Sequence, residues 1–130
     1  MSLTYFFQFI HILNELFISF YIFIFYWTKK YDIYFCIYHL IIIIHWILLK
    51  NECILSYLEK KTKDKNYKLG DNPFEHPFYN LLPKYSLNLL NFFKLLNIFV
   101  IFYRNLDNKY ITSLICIIVS YHIFRKVFIH

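Results

Sequence analysis

Five residues share one face of a predicted helix and include three side chains with useful chemistry. His45, Leu49, Glu52, Ser56 and Glu59 follow one another at spacings of four, three, four and three residues. Seven residues turn a helix back to within about 20° of its starting direction, so these positions form one stripe. Imidazole transfers protons or binds metals, and a carboxylate acts as an acid or a base. The stripe therefore predicts a polar helix face where an apolar run gives way to charged residues.

A cysteine and an earlier histidine extend this set of chemically useful residues. Cys53 lies beside the stripe, and His11 belongs to the first apolar run. A lipid-modifying enzyme would use Glu52, Cys53 or His45 as acid, nucleophile or base. We expect His11, His45, Glu52, Cys53 and Glu59 to form a binding site at one membrane face. On a solvated helix, the two glutamates would instead pair with the lysines that follow them.

Four apolar stretches must position these residues. At 1.5 Å per residue, a helix of about 20 residues crosses the hydrocarbon core of a bilayer. We predict spans at about 5–27, 33–50, 84–103 and 110–128, with a cytoplasmic helix and loop at about 51–83. The second helix is expected to continue to about Lys61, because neither Gly nor Pro interrupts it. The predicted fold is a single all-α domain, a four-helix transmembrane bundle whose second helix extends beyond the membrane.

The composition supports a lipid environment. Apolar residues make up 59% of the 130-residue chain and aromatic residues 24%, whereas soluble domains are about 45–50% apolar. A chain of this length has too little interior to hide 16 Phe and 13 Tyr from water. The three cysteines include no CxxC pair, so neither a zinc site nor a disulfide framework is indicated.

The basic residues indicate lipid headgroups as partners and also set the orientation. The net charge is +6, with most lysines in the segment between the second and third spans. Anionic headgroups are the simpler partner for such a loop, and we expect no nucleic-acid binding. Nine of the 14 Lys and Arg residues flank the side that holds the central segment and the C-terminus, and four flank the other side. By the positive-inside rule, both termini should be cytoplasmic.

Charged and amide side chains also occur within the predicted spans. Glu15 and Lys94 fall near mid-membrane, where a lone charge costs about 2.5–3.5 kcal/mol or more. We expect these two residues to form an ion pair within an intramembrane polar network that includes Asn88 and Asn91. The network either holds the helices in register or provides a proton or ion path.

Histidines at similar predicted depth raise the question of a cofactor. His11, His45 and His122 all fall in the cytoplasmic half of the predicted bundle, and imidazole is a good axial ligand of haem iron. The spacing of a multi-haem bundle is absent, and one Gly gives little room for a macrocycle. We therefore predict no cofactor and no metal site, with haem as the alternative.

The end of the second span resembles a known family. Cys53, Leu55, Ser56 and Glu59 match the Cys-Pro-Leu-Thr-x-x-Glu pattern of small four-span bacterial membrane proteins of unknown function, with Ile54 in place of Pro and Ser56 in place of Thr. His11 resembles that family's early histidine, and residues 67–74 resemble its central loop. The His-Trp…Asn-Glu-Cys-Ile-Leu sequence is similar to chains of large DNA viruses. The resemblance implies four helices and no particular activity.

These observations predict an integral membrane protein whose biochemical activity they do not specify. The leading expectation is a non-enzymatic structural or interaction component that uses segment 51–82 to contact headgroups, a protein partner or a second copy of the chain. The alternative is a membrane-embedded haem-binding, redox or lipid-modifying protein that uses the His, Glu and Cys residues.

Overall fold

Helices form the regular structure of the chain in a computed structural model that describes residues 2–129, apart from the side chains at positions 78 and 79. The five α-helices are α1 (Leu3–Ile24), α2 (Asp32–Leu48), α3 (Ile54–Lys63), α4 (Ser86–Arg104) and α5 (Lys109–Phe124). A 3₁₀ turn at Pro77–Leu81 precedes α4, and a π-helical turn at Arg125–Ile129 continues α5. Residues 2–129 contain no strand, and the predicted all-helical fold is confirmed.

Two helices begin at side chains that satisfy their first amides. The Ser2 hydroxyl accepts from the Tyr5 N–H at 3.4 Å, and the Asn108 side chain accepts from the amides of Tyr110 and Ile111. Ser and Asn are favoured at this position because their short side chains reach amides that the helix leaves unpaired. These caps place the starts of α1 and α5.

The second helix does not continue to Lys61 as the sequence predicts. It ends at Leu48, and α3 starts as a separate helix at Ile54. Lys50 and Asn51 adopt the left-handed conformation, with φ of 55° and 65°. Asn adopts this conformation more readily than most residues, so a helix can stop here without Gly or Pro. The break turns α3 back so that it packs against α1.

Within residues 2–129, three helical segments are long and apolar enough to cross a membrane. These are α1, α4, and α5 together with its terminal turn, Lys109–Ile129. The fourth apolar helix, α2, has only 17 residues. Large apolar side chains are exposed along α4, including Leu95 and Phe99, which are 69% and 66% exposed. Water disfavours such surfaces and hydrocarbon accommodates them, which supports a membrane environment.

One end of the bundle is filled with apolar side chains. α1 packs against α4, α2 packs against α5, and α4 contacts α5. Tyr21 stacks on Phe35 with ring centroids 4.2 Å apart, and isoleucines of α1, α2, α4 and α5 complete this core. We call this region, near the 25–31 and 105–108 turns, the filled end. The opposite end, where α1 begins and α2 ends, contains a cavity and is called the hollow end.

A buried carboxylate holds the filled end together. Asp32, at the start of α2, is fully buried. It accepts hydrogen bonds from the Tyr21 hydroxyl at 2.8 Å, from Arg104 Nε at 2.6 Å and from Asn105 Nδ2 at 2.7 Å. Since the carboxylate is both paired and hydrogen-bonded, its burial is supported by partners from α1 and from the end of α4.

Asn97 of α4 fixes α1 against α4 by inserting into the backbone of α1. Its Oδ1 accepts from the Ile22 N–H at 2.7 Å, and its Nδ2 donates to the Ile18 carbonyl at 3.1 Å. Those two backbone groups pair with each other in a regular helix. The amide side chain thus bonds to both backbone groups of one turn of α1, and it sets the relative position of the two helices along their axes.

Candidate active site

The candidate site begins with Cys53, which occupies the N-cap of α3. Its backbone is extended, with φ −71° and ψ 133°, and the helix starts at the next residue. The Ile54 N–H donates to His45 Nε2 at 3.0 Å, so the histidine at the end of α2 caps the next helix. The thiol is half-buried.

His11 of α1 connects this cysteine to a buried carboxylate. Its Nε2 lies 3.8 Å from Cys53 Sγ, and its Nδ1 lies 3.1 Å from Glu59 Oε1. His11 is 2% exposed, and Glu59 is fully buried. When the Nδ1 proton is directed at the carboxylate, Nε2 is left to accept a proton from the thiol. The three side chains have the order of a nucleophile, a base and an orienting acid.

The polar stripe predicted from the sequence faces the bundle. Glu52, Ser56 and Glu59 are all fully buried, and the buried residues of α3 are polar. The alternative of a solvated helix is therefore wrong for these glutamates. The predicted pairing of Glu52 with a lysine does occur, but with Lys60 and inside the fold: Lys60 Nζ donates to Glu52 Oε1 at 2.9 Å.

Glu52 also folds the following loop over α3. It accepts from the Tyr67 hydroxyl at 2.5 Å and from the Gly70 N–H at 2.8 Å. Burial and the hydrogen bond to the Glu52 carboxylate raise the pKa of Tyr67 to about 12. Gly70, the single glycine of the chain, has φ +90°, and a Cβ there would lie 3.1 Å from the Lys50 side chain. A left-handed backbone and this close approach explain why Gly occupies the position.

The folded loop brings a second histidine to the site. His76 Nδ1 lies 2.7 Å from Ser56 Oγ, and the His76 and His11 rings meet edge to face with centroids 5.8 Å apart. Burial, together with the positive charge that His11 and Lys60 can carry, lowers the pKa of His76 to about 3. A neutral imidazole thus lies against His11. Sequence reasoning missed this residue, because His76 is in a Pro-rich loop with no periodic pattern.

A cavity of about 820 Å³ opens beside Cys53 and His11 at the hollow end. Its lining is mostly apolar, with side chains from all five helices and the loop. Ligand pockets are typically about 300–1,000 Å³ and apolar with a few polar groups. His11 and Cys53 therefore lie at the wall of a space with the size and apolar lining of a ligand pocket.

The predicted ion pair of mid-membrane charges is present in this wall. Lys94 Nζ contacts Glu15 Oε2, and both side chains are largely buried. Asn91 lines the cavity, whereas Asn88 is exposed on the outer side of α4. Of the predicted polar network, Glu15, Lys94 and Asn91 thus share the cavity wall, and Asn88 does not contribute to it.

The histidines considered for haem have different partners. His11 contacts Glu59 and Cys53, His45 caps α3, and His122 lies with its Nε2 3.3 Å from His39 Nε2. Among residues 2–129, no group of three His, Cys, Asp or Glu side chains is placed to hold a metal ion. Each of the three histidines considered as an axial haem ligand thus has a different partner.

Of the five predicted site residues, the structure unites His11, Cys53 and Glu59. His45 and Glu52 have other partners: His45 caps α3, and Glu52 anchors the loop. The sequence stripe indicated which face of α3 is buried, but it could not show that His11 rather than His45 meets Cys53.

Comparisons with known proteins add no relative. No protein-family model, curated protein or solved structure matches the chain.

Proposed function

We propose that the chain is a membrane-embedded cysteine enzyme that transfers acyl groups from lipid-like esters or thioesters. The observation that carries this proposal is the placement of His11 between Cys53 Sγ and Glu59 Oε1 beside an apolar cavity. It corresponds to the lipid-modifying alternative from the sequence. The geometry favours it over a purely structural role, because helix packing alone does not require a half-buried thiol beside an oriented base.

The reaction begins with attack of the Cys53 sulfur on the acyl carbonyl carbon. The thiol proton moves to His11 Nε2, and Glu59 stabilises the imidazolium that forms. One first-turn amide of α3 already donates to His45, and the next two, which lack partners within the helix, serve as donors for the developing oxyanion. The bond to the leaving alcohol or thiol then breaks, and His11 returns its proton to that group.

The product of this half-reaction is an S-acyl Cys53 thioester and a free alcohol or thiol. Water or a second hydroxyl compound then attacks the thioester, with His11 taking the proton of the attacking group. His11 finally gives the proton to the cysteine sulfur, which restores the starting state. The cavity holds the acyl chain during both steps.

Acylation of Cys53 is the direct test. The purified protein is incubated with a long-chain acyl thioester, and the Cys53 peptide is analysed by mass spectrometry with and without hydroxylamine. We expect a hydroxylamine-sensitive acyl group on Cys53, and no acylation in His11→Gln. The matched control is Cys116, which is exposed and lacks a histidine partner in the described structure. Equal acylation of Cys53 and Cys116 would reject the proposal.

We also propose four spans with both termini and segment 51–83 in the cytoplasm. The three long apolar helices and the shorter α2 support this topology, together with the lysine distribution of the sequence. Cysteines introduced at Asn66 and Leu106, both exposed, test it in a Cys53→Ser, Cys116→Ser background. A membrane-impermeant maleimide applied from the cytoplasmic side should label position 66 and not 106; the reverse pattern would invert the orientation.

Segment 51–83 suggests a second candidate function. The Glu52 network holds residues 67–72 against α3, while Lys63, Lys65 and Lys68 remain exposed. An ordered loop with outward lysines suits contact with anionic headgroups, a protein partner or a second copy of the chain. Replacing these three lysines by Gln should then weaken binding to anionic vesicles without changing Cys53 acylation.

A further inference from the structure

A half-buried cation without an acidic partner lies at the hollow end. Arg125 follows α5, and its guanidinium carbon lies 4.3 Å from the Trp46 ring centroid and 5.1 Å from that of Phe74. Its Nη2 donates to the Asn51 carbonyl at 3.1 Å, and its buried Nε has no hydrogen-bond partner among the described residues. None of the ion pairs in residues 2–129 includes Arg125.

This arrangement is costly for a protein that has no anion to bind there. A charge removed from water needs a counter-charge, and stacking on aromatic rings recovers only part of the lost hydration. Asp32 provides such a counter-charge for Arg104 at the filled end. The hollow end leaves Arg125 without one, although its side chain lines the cavity.

The charges around the cavity have a net positive balance. Lys94 is neutralised by Glu15, while Arg125 and the neighbouring Lys126 add two cations to the lining. The stacked guanidinium presents N–H groups along its edge, and that edge matches phosphate oxygens. A choline headgroup would be repelled by both cations, and Arg125 already covers the faces of Trp46 and Phe74 that would attract it.

We propose that the cavity binds an acyl amphiphile with an anionic phosphate group, which Arg125 recognises while the acyl chain lies between the helices. This inference rests on the proposed function for the identity of the reacting ester, since it places the ester carbonyl near Cys53. The binding itself requires neither Cys53 nor His11. The phosphate belongs either to a lipid of the bilayer or to an acyl thioester of coenzyme A from the water.

Tryptophan quenching measures this binding in the full chain. The protein carries Trp27→Phe, so that Trp46 is the single tryptophan, and Cys53→Ser, so that no turnover occurs. It is reconstituted in vesicles of phosphatidylcholine with brominated acyl chains, or in vesicles where brominated phosphatidylglycerol replaces part of it. We expect phosphatidylglycerol to quench Trp46 with about tenfold higher relative affinity, as two charge-assisted hydrogen bonds predict.

Two variants distinguish a built site from a general surface charge. Arg125→Gln should abolish the preference, and Arg125→Lys should retain only part of it, because a point charge lacks the two-pronged geometry. Lys84→Gln removes an exposed charge just before α4, and it should leave the preference unchanged. Equal quenching by both lipids in the parent, or a preference that survives Arg125→Gln, would overturn the proposal.

A competition experiment identifies the source of the phosphate. Palmitoyl-coenzyme A added from the water relieves the quenching in an Arg125-dependent manner if the cavity takes the soluble thioester. If the quenching persists at saturating palmitoyl-coenzyme A, the ligand comes from the membrane lipid alone. Because this binding uses Cys53→Ser protein, a failure of Cys53 acylation leaves it intact. Conversely, a lost lipid preference leaves the acylation chemistry standing.

Discussion

His11 Nδ1 and Glu59 Oε1 lie 3.1 Å apart although 48 residues separate them in the chain. Both side chains are buried, and the second Glu59 oxygen, Oε2, has no hydrogen-bond partner among the described residues. This contact joins α1 to α3 and orients the imidazole toward Cys53. It is therefore the contact on which the proposed chemistry most depends.

Glu59→Gln should slow alkylation of Cys53. The Gln amide can donate to His11 Nδ1, which would place the imidazole proton on Nε2, where it can no longer accept the thiol proton. Loss of a positioned base reduces rates by about 10²-fold or more. The iodoacetamide reaction of Cys53, followed by peptide mass spectrometry in a Cys116→Ser background, measures the effect. Glu75→Gln, an exposed position, serves as the control; identical rates in all three proteins would contradict the assigned base.

Glu15→Gln and Lys94→Met should each destabilise the protein, and the double variant should recover part of the loss. A single change leaves one uncompensated charge in the cavity wall, whereas the double change leaves none. We expect a coupling free energy of about 1–3 kcal/mol. Unfolding in mixed detergent micelles gives the four free energies of the cycle. Strict additivity would mean that the two groups do not interact in the folded protein.

Gly70→Ala should reduce stability by more than about 1 kcal/mol, because a side chain there requires an unfavourable backbone and crowds Lys50. The strained loop would also displace the Gly70 N–H from Glu52 and loosen His76. Asn66→Ala, in an exposed part of the same loop, should have little effect. Thermal unfolding compares the two variants, and equal midpoints would show that the loop is not held by this turn.

The protein should lose stability as the pH falls below about 6.5, partly through His76. The pKa of His76 is lowered from 6.5 to about 3 on folding, so the unfolded chain binds the proton first. The contribution of His76 to the free energy of unfolding is fully present above pH 6.5. It decreases by up to about 1.4 kcal/mol per pH unit as the pH falls to about 3. His76→Gln should flatten that part of the profile. A profile unchanged by the substitution would show that folding leaves the pKa of His76 near its ordinary value.

The length of the apolar runs was sufficient to predict the all-helical fold, because long runs of Ile, Leu and Phe permit few other structures in lipid. It also gave the Glu15–Lys94 pair, since two charges at similar depth in hydrocarbon need each other. The break between α2 and α3 was not predictable from propensity. It depends on Lys50 and Asn51 in the left-handed region, which no Gly or Pro marks.

The candidate site was only partly accessible to sequence reasoning for a related reason. Helical phase grouped Glu52, Ser56 and Glu59 on one face, and the structure buries that face. The reversal of α3 onto α1 then decides that Glu59, not Glu52, meets His11. His76 reaches Ser56 only after Glu52 and Gly70 have folded the loop. Such contacts depend on tertiary structure and leave no periodic signal.

The polar partners of α1 have a consequence for synthesis of the chain. His11, Ile22 and Glu15 find their contacts 48, 75 and 79 residues later, in α3 and α4. At about 5–20 residues per second, α1 waits roughly 2–16 s before they emerge. Crosslinks from α1 to the insertion machinery should persist in ribosome-bound chains that end before Lys94, and be lost once α4 is included. We therefore expect the emergence of α4 to set the time at which α1 is released into lipid.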